Sequence, residues 1–353
     1  MPPPLPRRRA RDLGIRIGWL EAGPENAITD VAGVLVGQAT VWRDEPDPPH
    51  GRGCARTGVT AVVPYGLADV YRAPVPAAVD VLNGAGELTG SIELTEWGLL
   101  ETPIVLTSTM QVGRAYDGVV AALCDAEPSC GTDRVVIPVV GECDDSWLND
   151  ARRVQIAESD VRAALADASS LPPAEGAVGA GTGMICCGWK GGIGNASRRL
   201  PDGTTVGVLL LTNWGEAQRL TVDGVPVGRA LLPPEPDALH PAGSCIGIVA
   251  TDAACAPHDL RRLARRVGLG LARCGSTAHH GSGEIFCAFS TSREAGQPDM
   301  NPVFAAVVEA AEEAVLNSLF VASTVSGRAG RVVEGLRVER VLDLLGAAGR
   351  LDT

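Results

Sequence analysis

A serine hydroxyl placed at a loop-to-strand step can attack the carbonyl just before it, and Gly243-Ser244 is such a step. Before it runs Pro233-Pro234-Glu235-Pro236-Asp237-Ala238-Leu239-His240-Pro241-Ala242, too polar and too short of N–H donors to be regular structure. After it comes Cys245-Ile246-Gly247-Ile248-Val249-Ala250, a short apolar run that reads as a buried strand. Such an attack would leave Ser244 as a new N-terminus carrying its own base, an α-amine with an ordinary pKa of about 8 that can activate the adjacent hydroxyl. A second pair lies in Gly281-Ser282-Gly283-Glu284-Ile285-Phe286. Ser282 and Glu284 are two apart, so in an extended segment they share a face, where the carboxylate can orient the hydroxyl or accept its proton. Taken alone, Gly-Ser is also ordinary loop punctuation, and 281–284 also reads as a glycine-flanked turn into a strand at 285–289. The residues by themselves leave both readings open.

Other chemistries have less support. Gly179-Ala180-Gly181-Thr182-Gly183 lacks the final glycine spacing and the following helix of a dinucleotide loop, and Gly191-Gly192-Ile193-Gly194 reads as a turn rather than a phosphate cradle. His279-His280 would point to opposite faces of a strand, and no carboxylate or cysteine recurs at ligand spacing, so no metal is expected. Five histidines and no nucleophile-elbow motif give little support to a Ser-His-Asp triad. The ten cysteines have no zinc-type spacing and read as small buried hydrophobes in a reducing compartment.

These candidates need a scaffold to position them. A chain of 353 residues with 45% hydrophobic content can bury a substantial core. Its net charge of −12 is dispersed, which argues against nucleic acid or an anionic membrane as partner. The start has no apolar signal segment and no stretch is long enough to span a bilayer, so a cytoplasmic location is expected. Apolar runs predict strands at 31–37, 58–63, 104–107, 135–140, 183–187, 205–211 and 245–250. Helices are predicted at 77–82, 116–124, 159–168, 257–273 and 302–319, the last with Glu309, Glu312 and Glu313 turned away from the core. The Arg261-Arg262 and Arg265-Arg266 pairs read as the solvated side of 257–273, and residues 1–10 as a flexible arm. Mixed strands and helices of this kind indicate an α/β or layered α+β protein.

With the segments in hand, the sequence resembles the self-processing aminopeptidases of the P1 or S58 type, the family of L-aminopeptidase/D-esterase and the β-aminopeptidases. The resemblance runs over nearly the whole chain. It is carried by Asn26-Ala27-Ile28-Thr29-Asp30-Val31-Ala32-Gly33-Val34, Leu82-Asn83-Gly84-Ala85-Gly86-Glu87-Leu88-Thr89-Gly90 and Leu148-Asn149-Asp150. The densest matches are Gly179-Ala180-Gly181-Thr182-Gly183-Met184 with Lys190-Gly191-Gly192-Ile193-Gly194, and Gly243-Ser244 followed by Val249-Ala250-Thr251-Asp252-Ala253.

The resemblance implies an α+β fold, a four-layer αββα sandwich like that of N-terminal-nucleophile hydrolases but differently connected, and a homo-oligomer without cofactor. It implies one domain that cuts itself into an α chain, 1–243, and a β chain, 244–353, with Ser244 as nucleophile. Ser282 and Glu284 match the family's proton-shuttling segment, and Asn213 matches its oxyanion donor. The substrate class implied is a small peptide, amino-acid amide or ester, cleaved through an acyl-enzyme. In place of the family's Asp-Gly-Tyr-Leu-Asn-Asp, this chain has Asp145-Ser146-Trp147-Leu148-Asn149-Asp150. A pocket role is therefore open for Trp147, with Tyr65 or Tyr116 as substitutes for the missing phenol, and Glu87 and Asp150 are candidates to meet the substrate's ammonium. Rival readings are an acyltransferase of the ornithine acetyltransferase type, whose cut precedes a threonine, a pantetheine-type amide hydrolase, and an uncleaved scaffold.

Overall fold

The computed structural model describes residues 7–232, 243–294 and 296–351, so the proline-rich segment read before Gly243 lies outside the described residues. In chain order the principal strands are β1 (Val34–Asp44), β2 (Cys54–Pro64), β3 (Val75–Gly84), β4 (Leu99–Leu100), β5 (Ile104–Ser108), β6 (Val139–Cys143), β7 (Ile185–Cys186), β8 (Trp189–Lys190), β9 (Ile193–Arg199), β10 (Thr205–Asn213), β11 (Ser244–Thr251) and β12 (Gly283–Ser290). The helices are α1 (Leu67–Arg72), α2 (Ser91–Trp97), α3 (Val112–Ala126), α4 (Glu158–Ala166), α5 (Gly228–Leu231), α6 (Pro257–Arg273), α7 (Met300–Val321) and α8 (Val338–Ala347).

Two main sheets result, one of six strands in the order β4-β3-β12-β11-β10-β9 and one of four in the order β1-β2-β5-β6, with β7 and β8 forming a separate hairpin. Strand alternation decides what each face meets. Leu209, Leu211, Ile246, Ile248, Ile285 and Cys287 point between the sheets, where Val62, Ile104, Leu106 and Val139 of the four-stranded sheet close the layer. Their neighbours Val208, Leu210, Val249 and Phe286 point outward onto Leu263, Val267, Val307 and Val315 of α6 and α7. Behind the smaller sheet, Val59, Ala61 and Val105 meet Val119 and Leu123 of α3 and Val161 of α4. The order helix, sheet, sheet, helix is the four-layer αββα sandwich.

The parallel pairing of β11 with β12 positions the candidate serines. Parallel neighbours need a crossover, and here it is α6. Pro257 opens that helix at its first turn, and Leu260, Leu263, Ala264, Val267 and Leu271 form the buried stripe predicted from their spacing. A 17-residue helix runs about 25 Å and an eight-residue strand about 26 Å, so the crossover returns the chain to the end of the sheet where β11 began. Ser244 is thereby aligned with Gly283.

Several expectations are corrected. Residues 77–82 are strand, not helix: β3 pairs with β12, and burial of Ala77, Ala78 and Val79 on successive positions hides the alternation that would mark a strand. The predicted strand at 135–140 pairs only from Val139, and the one at 183–187 shrinks to Ile185–Cys186. Glu309, Glu312 and Glu313 are buried rather than turned to solvent. Arg198 of β9, itself fully buried, donates to Glu309 at 3.1 Å and Glu313 at 2.7 Å, Arg11 donates to Glu313 at 2.9 Å, and Arg273 meets Glu312 at 3.1 Å. Within the 1–10 arm, Arg9 pairs with Glu175 at 2.7 Å and the Ala10 N–H donates to Asn317 at 3.0 Å, so the arm's described end is docked. The arginines of α6 are engaged too: Arg261 and Arg265 pair with Asp80 of β3, and Arg266 stacks 3.5 Å from the Phe304 ring. No helix among the described residues is long and apolar enough to cross a membrane.

Candidate active site

Three strand ends converge on Ser244. Asn213, the last residue of β10, is its antiparallel partner, and Gly283, the first of β12, is its parallel one. Ser244 is 7% exposed, and the Gly283 N–H donates to its Oγ at 3.3 Å. This bond occupies Oγ as an acceptor and leaves the hydroxyl proton available to a base. Residue 243 must be glycine on packing grounds: a Cβ there would lie 1.9 Å from the Asn213 carbonyl oxygen.

On either side of Gly283, Ser282 Oγ donates a short hydrogen bond to Glu284 Oε1, as their spacing of two suggests. The other oxygen, Oε2, is buried without a hydrogen-bond partner among the described residues. Burial holds the Glu284 carboxyl above the ordinary range, while the hydrogen bond from Ser282 pulls it back. Asn83 Nδ2 donates to the carbonyls of Ser282 and His279, each at 2.6 Å, which fixes the turn into β12. His279 Nε2 lies 3.1 Å from Glu216, and among the described residues no group of His, Cys, Asp and Glu is arranged to hold a metal ion.

Asn213 is oriented by two backbone groups that can each play only one role. The Ile185 N–H donates to Oδ1 at 2.8 Å, and Nδ2 donates to the Asp144 carbonyl at 2.9 Å. One N–H of the amide is then left for another acceptor. Fixed donors of this kind stabilise a developing oxyanion because no reorganisation is needed as the charge appears.

The remaining candidates are spread more widely. The Trp147 ring lies beneath Arg331 at 3.9 Å and packs with Leu148, Val325 and Val333. It neighbours the site through Ile185 of the same cluster. Asp150 is buried and engaged by Arg152, with Arg152 Nε 2.8 Å from Oδ1, beside Gly53 and not beside Ser244. None of the chain's three tyrosines stands at Ser244. Tyr65 donates to the Thr291 carbonyl at the far end of β11 and β12, seven residues or about 23 Å along the strand, and Tyr71 and Tyr116 belong to the outer layer behind the smaller sheet.

Glu87 is exposed, but its backbone N–H donates at 2.9 Å to Glu142, an acid the sequence reading passed over. Glu142 is 3% exposed and its second oxygen accepts a short bond from Thr109. Its Oε1 lies 3.1 Å from where a Cβ on Gly86 would stand, and that point is 3.4 Å from the Gly283 Cα. Glu142 thus reaches the site from β6 of the other sheet, and burial raises its carboxyl above the ordinary range. The one available signal was a glutamate inside an otherwise apolar strand, Val139-Val140-Gly141-Glu142-Cys143.

Comparison with known proteins gives a consistent result. Residues 26–333 match the description of peptidase family S58. The chain is 39% identical, over 93% of its length and 89% of the relative's, to the beta-peptidyl aminopeptidase BapA of Sphingosinicella microcystinivorans. Among solved structures it is similar to a Burkholderia sp. beta-aminopeptidase, with 41% identity, a TM-score of 0.86 and coverage of 97% of this chain and 99% of that one. It is likewise similar to the L-aminopeptidase D-Ala-esterase/amidase of Ochrobactrum anthropi, described as a variant of the Ntn hydrolase fold, with 38% identity, a TM-score of 0.88 and coverage of 98% and 99%. With the family match spanning most of the chain and the four-layer fold shared, this chain belongs to peptidase family S58.

Proposed function

We propose that the chain is a self-processing N-terminal serine aminopeptidase and amidase. The observation that carries the reading is the position of Ser244, between Asn213 on one neighbouring strand and Ser282-Gly283-Glu284 on the other. In the first step Ser244 Oγ attacks the Gly243 carbonyl. The C–N bond breaks as the ester forms, the Ser244 nitrogen takes up the hydroxyl proton, and water then hydrolyses the ester to release the Gly243 carboxylate. The freed α-amine serves as base in each later cycle.

In turnover, Ser244 Oγ attacks an amide or ester carbonyl of a small substrate that bears a free amino group. The proton passes by way of the amine, Ser282 and Glu284 to the leaving group, and water resolves the acyl-enzyme. Asn213 Nδ2 donates to the oxyanion of each tetrahedral intermediate. The Glu142 carboxylate meets the substrate's ammonium, a role its burial and its distance from Gly283 suit better than those of exposed Glu87 or of Asp150, which Arg152 already holds. Trp147 lines the outer wall of the pocket. The enzyme works in the cytoplasm as a homo-oligomer of αβ units, and exposed Ile92 and Trp97 on α2 offer apolar surface to a second copy.

Denaturing electrophoresis with intact-mass measurement tests the reading. Two fragments meeting at Gly243 and Ser244 are expected, and Ser244→Ala stays full-length and inactive. A single full-length species that persists, or a Ser244→Ala variant that hydrolyses an aminoacyl amide, refutes it.

A further inference from the structure

The peptide unit joining Met184 to Ile185 is gripped at both ends. Its carbonyl accepts from Lys190 Nζ at 2.7 Å, and its N–H donates to Asn213 Oδ1 at 2.8 Å. Lys190 is fully buried, and its Nζ also donates to the Gly181 carbonyl at 3.0 Å and the Gly191 carbonyl at 2.7 Å. Three carbonyl acceptors use three N–H donors, which only the ammonium form has, and they hold that form against the burial that pulls the Lys190 pKa down to about 7. Register supports the contact, because Lys190 is the hairpin partner of Ile185 across β7 and β8.

A charge is costly to bury, and a loop can be closed with neutral donors. What the ammonium adds is its effect on the amides in series with it. A charged donor on the Met184 carbonyl polarises that peptide, so its N–H becomes a stronger donor to Asn213 Oδ1, and the Asn213 amide is polarised in turn. The same contacts fix which way the Asn213 side chain is turned.

We propose that Lys190 is a positioning residue for the oxyanion donor: acting through the Met184–Ile185 peptide, it orients Asn213 and strengthens its remaining Nδ2–H. The inference rests on the reading of Asn213 as that donor. Removing a whole oxyanion donor slows catalysis by about 10²–10³-fold, so weakening one is expected to lower kcat about tenfold with little change in KM.

The test is a double-mutant cycle of Lys190→Met and Asn213→Ala in the full chain, with an aminoacyl p-nitroanilide as substrate and rates taken per cut chain. Should Asn213→Ala cut too slowly for turnover to be assayed, the cycle is read on the rate constant of self-cleavage, followed over days on a denaturing gel. The expected result is a tenfold loss for Lys190→Met alone and no further loss when Asn213 is already alanine. Losses that multiply place the action of Lys190 elsewhere and overturn the proposal while leaving the oxyanion reading intact. An Asn213→Ala variant with undiminished kcat instead overturns the oxyanion reading, and this inference with it. If Lys190→Met fails to fold, Lys190→Gln, which keeps a neutral donor, carries the same cycle.

Discussion

Gly243→Ala separates the making of the enzyme from its use. The added Cβ would stand 1.9 Å from the Asn213 carbonyl oxygen and 2.7 Å from the Trp214 Cα, where such contacts begin near 3.0 Å, a shortfall of about 1.1 Å. Asn213 cannot easily give way, because Ile185 and Asp144 hold its side chain and β11 pairs with its backbone. The residue that moves is therefore 243, which carries the carbonyl that Ser244 must attack. A displacement of about 1 Å from the reactive geometry costs on the order of 10²-fold. Self-cleavage should slow by about that factor, followed as loss of the full-length band on a denaturing gel. Once the bond is cut, residue 243 is only a released carboxylate end, so turnover per cut chain should remain within about threefold of the parent, since no acyl-transfer contact depends on it. Cleavage at the parent rate would refute the reasoning, because the clash would then be absent from the geometry that reacts. Equal losses in cleavage and turnover would also count against it.

Glu142→Gln removes the charge proposed to meet the substrate's ammonium, and a hydrogen bond to a charged group is worth about 1.5–3 kcal/mol, so KM should rise about 10–100-fold with kcat changed less. A des-amino analogue of the same substrate should not feel the change, and an equal loss for both compounds would end the assignment. Glu284 must be ionised to accept a proton, and its carboxyl sits above the ordinary value because it is buried. Activity should therefore fall as pH drops through that raised pKa, on a limb lying above the ordinary glutamate range that disappears in Glu284→Gln along with about 10²–10⁴-fold of kcat. An unmoved limb in that variant would assign it to another group. Glu313→Leu removes one of the two carboxylates on the fully buried Arg198, which keeps Glu309, and should destabilise the fold by about 1.5–3 kcal/mol, seen as a lower Tm by calorimetry. A Tm equal to the parent's would show that the cluster contributes nothing net.

The parts of this site that could be read from the sequence have their partners close by in the chain. Ser282 and Glu284 are two residues apart and their side chains bond to each other. Ser244 stands out as a serine at the start of an apolar strand, and α6 between it and Ser282 is plain from its stripe of leucines. The parallel pairing of β11 with β12, which brings Ser282 beside Ser244, could not be read from that stripe. Asn213 needed the family resemblance, because nothing in the local text distinguishes it from any asparagine at a strand end. Glu142, Glu309 and Glu313 were missed or misplaced for one shared reason: their partners are far away in the chain. The Glu142 carboxylate meets Glu87 and Thr109, and Glu313 meets arginines 115 and 302 residues away. A glutamate on the polar side of a helix has the same spacing whether it faces water or a buried guanidinium, so periodicity assigned Glu313 to solvent. Proximity in the chain misleads in the opposite way for Asp150, which stands three residues from Trp147 yet is already engaged by Arg152 beside Gly53. A charged residue's role is thus legible when the group that compensates it is local, and otherwise depends on which strand the topology lays beside it.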